Sequence, residues 1–155
     1  MQIENRLTEL KIELPAPPTP VASYVSYKII GNMLYVSGQG PVINGKQMYA
    51  GKVGQDVSTE EGYQSAQCCA INLIAQMKKA VGDLDKIKQI VHLKGFVASA
   101  ADFYDQPKVV NGASDLMLKV FGEKGKHTRC ALGTSVLPGN QPTEVEAIAE
   151  LQDTL

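Results

Sequence analysis

The sequence lacks most of the features that announce a function class. Its three cysteines, Cys68, Cys69 and Cys130, form an odd set with two adjacent. That fits neither a disulfide framework nor zinc spacing and reads as reduced thiols packed like small hydrophobes. Charge of one sign is also lacking: 15 Lys and Arg face 16 Asp and Glu, for a net charge of −1. The lysines are spread along the chain, so no nucleic-acid partner is expected. No apolar run approaches the roughly 20 residues needed to span a bilayer. Residues 1–14 alternate charged and apolar side chains without the apolar core of a secretory signal. A cytoplasmic location with no membrane partner is therefore expected. No phosphate-binding loop, dinucleotide glycine fingerprint, nucleophile elbow or paired-cysteine motif is present, and His92 and His127 do not fall in a ligand pattern. Neither a cofactor nor a metal is expected.

Arginine is scarce as well: beyond Arg6 the sole example is Arg129, within the uncharged stretch Thr128-Arg129-Cys130-Ala131-Leu132-Gly133. Where lysine supplies nearly all other positive charge, a lone guanidinium among small and apolar residues has two readings. It is a solvated residue at a sheet edge, or it is a planar fork for a carboxylate. The second points to a small acidic ligand.

What the chain does have is regular patterning. Its 155 residues suit one domain over 1–155, with 44% hydrophobic and 20% charged residues as in ordinary globular proteins. Residues 1–20 read as an N-terminal extension, a short helix over 1–14 followed by a proline-rich connection. Residues 21–30 and 33–37 read as strands joined at Gly31-Asn32, and Asn44-Gly45 marks a second turn. Ser58-Thr59-Glu60-Glu61 is a capping box that opens a helix running to Gly82. Residues 87–98 read as a strand, and a second helix begins near Pro107 and ends at Gly122. Strands over 127–137 and 143–151 follow, joined through Pro138-Gly139-Asn140-Gln141-Pro142. This order predicts an α+β fold, a mixed sheet with two long helices on one face. The other face, assigned here to Arg129, Ala131, Gly133 and Leu137, is not conspicuously polar, and another copy of the chain is the economical cover.

Glu144 and Glu146 share one face of the last strand. They are solvated strand residues or partners in chemistry with Arg129. If residues 138–142 make a tight hairpin, Arg129 and Glu144 stand on the order of 20 Å apart. One subunit then cannot bring both to one small ligand, and a shared site must lie between subunits. Tyr24 and Ser37 could add hydroxyls, though each is an ordinary strand residue on its own. Asn111 alone reads as a helix-surface residue.

Taken together, Gly31-Asn32-Met33-Leu34-Tyr35-Val36-Ser37-Gly38-Gln39-Gly40-Pro41, Asp102-Phe103 leading to Asn111, Thr128-Arg129-Cys130, Leu137-Pro138 and Glu144-Val145-Glu146-Ala147-Ile148-Ala149 resemble the RidA (YjgF) family of reactive-intermediate deaminases. The resemblance implies a chorismate-mutase-like α+β fold. It also implies a homotrimer whose sheets form a central barrel, with ligand clefts between subunits. By position, Arg129 matches the arginine that grips the substrate carboxylate and Glu144 the glutamate that positions water. Tyr24, Ser37 and Asn111 match further cleft residues, and backbone groups around Cys130 and Ala131 would hold the water or the leaving nitrogen. The implied reaction is hydrolysis of enamines and imines of the 2-aminoacrylate type to a 2-keto acid and ammonia, without a cofactor.

The sequence departs from the family pattern in several places. Ala131 stands where the family often has cysteine, the thiol being at Cys130 on the opposite face. The segment before Asn111 is longer, Ala22-Ser23 replaces a Gly-Pro pair, and the extension itself is unusual. A non-catalytic module that binds a small carboxylate such as a 2-keto acid is the alternative function. Ribonuclease activity, also attached to the family by name, is the least favoured.

Overall fold

Ser58 opens the longest helix of the computed structural model, which describes residues 1–153. Its hydroxyl accepts from the Glu61 amide at 3.1 Å, starting α2 (Thr59–Val81). The capping differs in one detail from the expected box: the Glu61 carboxylate returns to the Ser58 hydroxyl, at 3.1 Å, rather than to its amide. Gly82 ends the helix at φ 76°, where a left-handed backbone favours glycine. Ala66, Ala70, Leu73, Ile74 and Met77 recur every three or four residues and are fully buried. A second long helix, α3 (Gln106–Phe121), carries Pro107 in its first turn. Both helices pack on one face of a five-stranded sheet.

The strands are β1 (Tyr27–Ile30), β2 (Met33–Gln39), β5 (Ile87–Ala98), β6 (Thr128–Thr134) and β7 (Thr143–Leu151), in the order β1-β2-β7-β5-β6. A small hairpin of β3 (Val42–Ile43) and β4 (Lys46–Gln47) turns at Asn44 and Gly45, both at positive φ. β7 is antiparallel to β2 and β5, whereas β6 is parallel to β5 and lies at the sheet edge. This corrects the expected hairpin between the last two strands. The 138–142 segment passes over the end of β5, whose Ala98 amide donates to Pro142 O at 2.9 Å. β5 therefore separates β6 from β7, and α3 supplies the long crossover that a parallel pair requires.

Along β7, Thr143, Val145, Ala147, Ala149 and Leu151 are buried, while Glu144, Glu146, Ile148 and Glu150 are half-exposed on the open face. Leu93 on β5 is in register with both Ala147 and Arg129, which puts Arg129 on the helix-covered side. The face first assigned to Arg129 and Ala131 is thus corrected as well. The open face carries Thr128, Cys130 and Leu132 from β6, with Tyr35 from β2 and Ile148 from β7. It mixes apolar groups, Tyr35 and Leu132 remaining 45% and 46% exposed, with the carboxylates Glu144, Glu146 and Glu150.

The N-terminal extension is anchored. Its helix is α1 (Gln2–Glu9), shorter than expected. The Gln2 and Ile3 amides donate to Asp85 at 2.7 and 2.9 Å, Lys78 Nζ reaches Glu4 at 2.6 Å, and Leu7 is buried. Glu4, Asp83 and Asp85 form an acidic cluster. Its contacts, which include the Met1 ammonium, serve to clamp α1 to the body. Beyond the prolines, residues 21–26 do not continue β1 as expected. Val21 is 98% exposed, and from this segment only Ser26 O accepts a ladder-like bond, from the Ser37 amide at 2.9 Å.

Candidate functional site

Arg129 leaves the edge strand toward α3. Its Nη1 donates to Ser114 Oγ at 3.1 Å and its Nη2 to Pro107 O at 3.2 Å. Arg129 joins no carboxylate among the described residues, in contrast to Lys78, Lys88, Lys94, Lys108 and Lys126, each of which has one within 4 Å. The guanidinium lines a shallow groove of about 320 Å³ with Asn111, Ser114, Asp115 and His127. Asn111 and Arg129 are thus brought together, by α3 folding back along the strand that follows it.

Glu144 occupies a different place. It is half-buried beside a concavity of about 400 Å³ whose lining includes Tyr24, Gly38, Gln39 and the extension residues Pro18 and Pro20. Burial raises the Glu144 carboxyl above the ordinary glutamate range, and the neighbouring charge of Glu146 adds to the rise. Two features shape this wall. A β-bulge interrupts the β2–β7 register between Val36 and Gln39. At the bulge, Gly38 lets the Glu144 side chain lie against the β2 backbone. The extension completes the wall, because the fully buried Gln76 of α2 donates Nε2 to Pro18 O at 2.8 Å. Tyr24, 50% exposed, stands at the mouth.

The remaining expected residues divide between these places and the open face. Ser37 lies on the open face, where its hydroxyl donates to Val25 O at 2.7 Å. Cys130 is exposed on that face, in register with Lys94 and Glu146. Ala131 points the opposite way and packs against the cluster that contains Val97 and Val110. Because β6 pairs on one side only, its outward backbone groups, including some at Cys130 and Ala131, are open to a further partner.

Arg129 and Glu144 are three register positions and two strands apart, about 10 Å along the strands and about 10 Å across. They also lie on opposite faces of the sheet. The separation is smaller than the 20 Å of the hairpin reading, but the outcome is the same: a small ligand cannot touch both within one copy. Sequence reasoning missed Ser114, His127, Gln76 and the role of Gly38. A glycine inside a strand signals close approach by another group, so Gly38 was readable. The other three needed tertiary contacts.

A family model described as "YjgF/chorismate mutase-like, putative endoribonuclease" matches residues 4–151. Protein TCP17 of Trypanosoma cruzi is 42% identical over 98% of this chain and 96% of its own. The crystal structure of Atu1372 of Agrobacterium tumefaciens, titled as of unknown function, is 46% identical with a TM-score of 0.91, covering 97% of this chain and 93% of that one. A crystal structure from Shewanella oneidensis titled as that of "a putative endoribonuclease" is 40% identical with a TM-score of 0.94, covering 96% of this chain and 99% of that one. With the model matching nearly the whole chain, and with the fold and motif order in agreement, this chain belongs to the YjgF (RidA) family.

Proposed function

We propose that this protein hydrolyses enamine and imine intermediates of the 2-aminoacrylate type to 2-keto acids and ammonia, without a cofactor, in clefts between neighbouring copies. The observation that carries the reading is the division of the site. Arg129 on the edge strand β6 and Asn111 on α3 border one concavity, and Tyr24 and Glu144, the latter on the central strand β7, border another. A head-to-tail contact that closes into a ring of three would place the arginine edge of one copy against the glutamate wall of the next. The open faces would then turn inward as a barrel. The resemblance of the motifs supports the same arrangement.

The chemistry asks little of the protein. Arg129 holds the substrate carboxylate by two parallel hydrogen bonds. Glu144, its carboxyl raised by burial, accepts a proton from water as the oxygen adds to the imine carbon. Starting from the protonated imine, the resulting neutral carbinolamine takes that proton back on nitrogen, the C–N bond breaks with its electron pair going to ammonia, and the departing ammonia takes the hydroxyl proton as the ketone forms. Position and proton transfer supply the acceleration. A phosphodiester substrate fits less well, since the net charge is −1 and both walls of the Glu144 concavity contribute apolar side chains.

Complementation tests the arrangement. Arg129→Ala and Glu144→Gln should each lose most turnover of enzymatically generated iminopyruvate. Co-expressed, they should regain it in about a quarter of the clefts, where an intact Arg129 meets an intact Glu144 from the next copy. No recovery in mixed oligomers would sink the intersubunit cleft. Tight binding of 2-ketobutyrate with no hydrolysis by the wild type would favour the carboxylate-binding module instead.

A further inference from the structure

The hydrogen bonds around Arg129 link it to a chain of neighbours on α3 and beyond. A guanidinium only donates, so Ser114 Oγ, 3.1 Å from Nη1, is an acceptor there. The Ser114 hydroxyl needs an acceptor in turn, and His127 Nε2 lies 2.9 Å away. On the other side of the ring, Nδ1 is 2.6 Å from Gly125 O, and a carbonyl only accepts. Nδ1 therefore carries a proton, and Nε2 is the nitrogen placed to accept from Ser114. The chain runs in one direction, Arg129 to Ser114 to His127 to Gly125. Its far end is fixed in place: Gly125 is buried, and a Cβ there would meet Met117 O at 2.2 Å.

We infer that Ser114 and His127 are positioning residues that hold the Arg129 guanidinium in its carboxylate-receiving orientation, through a hydrogen-bond relay that ends on the Gly125 carbonyl. The inference rests on the carboxylate grip proposed above and adds the device that aims it. With Nη1 held by Ser114 and Nη2 by Pro107 O, two of the five N–H groups are used. The remaining donors stay free for a ligand without the arginine having to order itself on binding. The relay needs a proton on Nδ1, facing the Gly125 carbonyl, and an Nε2 free to accept from Ser114. The tautomer with its proton on Nε2 would leave two acceptors facing each other at Gly125.

The test uses the full chain and 2-ketobutyrate as probe. Ser114→Ala and His127→Phe should each weaken calorimetric binding about tenfold and raise KM for iminopyruvate with kcat little changed. His127→Gln, whose Oε1 can accept from Ser114 in place of Nε2, should restore binding to within about threefold of wild type. Long-range 15N–1H correlation of the ring nitrogens, with His92→Gln leaving one histidine to read, should show the Nδ1–H tautomer. Unaltered binding in Ser114→Ala and His127→Phe, failure of His127→Gln to restore it, or an Nε2–H tautomer would overturn the relay while leaving the grip intact. Absence of 2-ketobutyrate binding by the wild type would overturn the grip and the relay's function with it, and the tautomer spectrum would then decide the relay's geometry alone.

Discussion

Gly38 lies against the carboxylate of Glu144: a Cβ built on Gly38 would fall 2.9 Å from Glu144 Oε2 and 3.0 Å from its Cδ. The contact is between a strand backbone and the end of a flexible side chain. Gly38→Ala should therefore leave the fold in place and push the carboxylate off the wall of its concavity. We expect iminopyruvate kcat/KM to fall about tenfold or more, since a misplacement near 1 Å weakens catalysis sharply, with melting temperature changed by no more than roughly 2 °C. Wild-type activity in Gly38→Ala would mean that Glu144 need not sit where it does.

The raised carboxyl of Glu144 has two causes, burial first and the charge of Glu146 second. If the carboxylate is the working form, the acid limb of the kcat/KM profile lies above the pH of an ordinary glutamate. Glu146→Gln removes only the second cause, so the limb should move to lower pH and still remain above the ordinary value. The sign for stability is the reverse of that for activity. A carboxyl raised on folding binds its proton more readily when folded, so its contribution favours the fold at low pH and is lost as pH rises through the folded-state value. Glu144→Gln should accordingly abolish activity while slightly raising the melting temperature at neutral pH. Parallel melting scans at acid and neutral pH would check this, and a lower neutral-pH melting temperature for Glu144→Gln would count against it.

What was legible in the sequence was local. The Ser58 cap, the Gly82 stop, the Asn44-Gly45 turn and the alternation along β7 each depend on a few neighbouring residues, and each appears where its chemistry places it. The partner of β6 does not follow from such signals. Pro138 to Pro142 has the composition of a tight turn, yet it spans the end of β5, because α3 had already laid β6 beside β5 in parallel. That non-local choice also decides which face Arg129 occupies. Residues 21–25, with Val21, Tyr24 and Val25, resemble strand but have no neighbour to pair with in one copy, leaving Val21 and Val25 exposed. The resemblance singled out Arg129, Asn111, Tyr24 and Glu144, but only the sheet order shows Arg129 on the edge strand β6 and Glu144 on the central strand β7.

Gln76 should hold the extension against the Glu144 wall. It is fully buried on α2, and its Nε2 reaches Pro18 O at 2.8 Å. Gln76→Leu keeps the volume roughly constant and removes the tether, leaving Pro18 O to find water. The global melting temperature should fall by only a few degrees, an effect of about 1 kcal/mol. Amide exchange over residues 16–24 should rise while exchange in α2 does not. Iminopyruvate KM should rise as well, because Pro18 and Pro20 line the concavity. Unchanged exchange in this segment would show that α1 and Leu7 suffice to hold it.

The two long helices meet at a glycine that leaves no room for a Cβ unless the backbones shift. A Cβ on Gly112 of α3 would lie 2.0 Å from the Tyr63 carbonyl oxygen and 2.9 Å from its carbon, both backbone atoms of α2. Beside this contact the Tyr63 hydroxyl donates to Asp115 at 2.7 Å, a bond that pushes the phenol up to about 12. Gly112→Ala must separate the helices and strain that bond, and should cost about 3 kcal/mol or more, a fall of roughly 6 to 12 °C in melting temperature. Gly82→Ala is the control. Nothing lies within 4 Å of a Cβ there, and only the backbone at φ 76° resists the substitution, at about 1 to 2 kcal/mol. Denaturant melts of the two variants separate close packing from backbone conformation, since the packing argument requires Gly112→Ala to be clearly the worse. Equal losses would mean that the helix crossing relaxes around an added methyl, and that Gly112 does not set how closely α3 approaches α2.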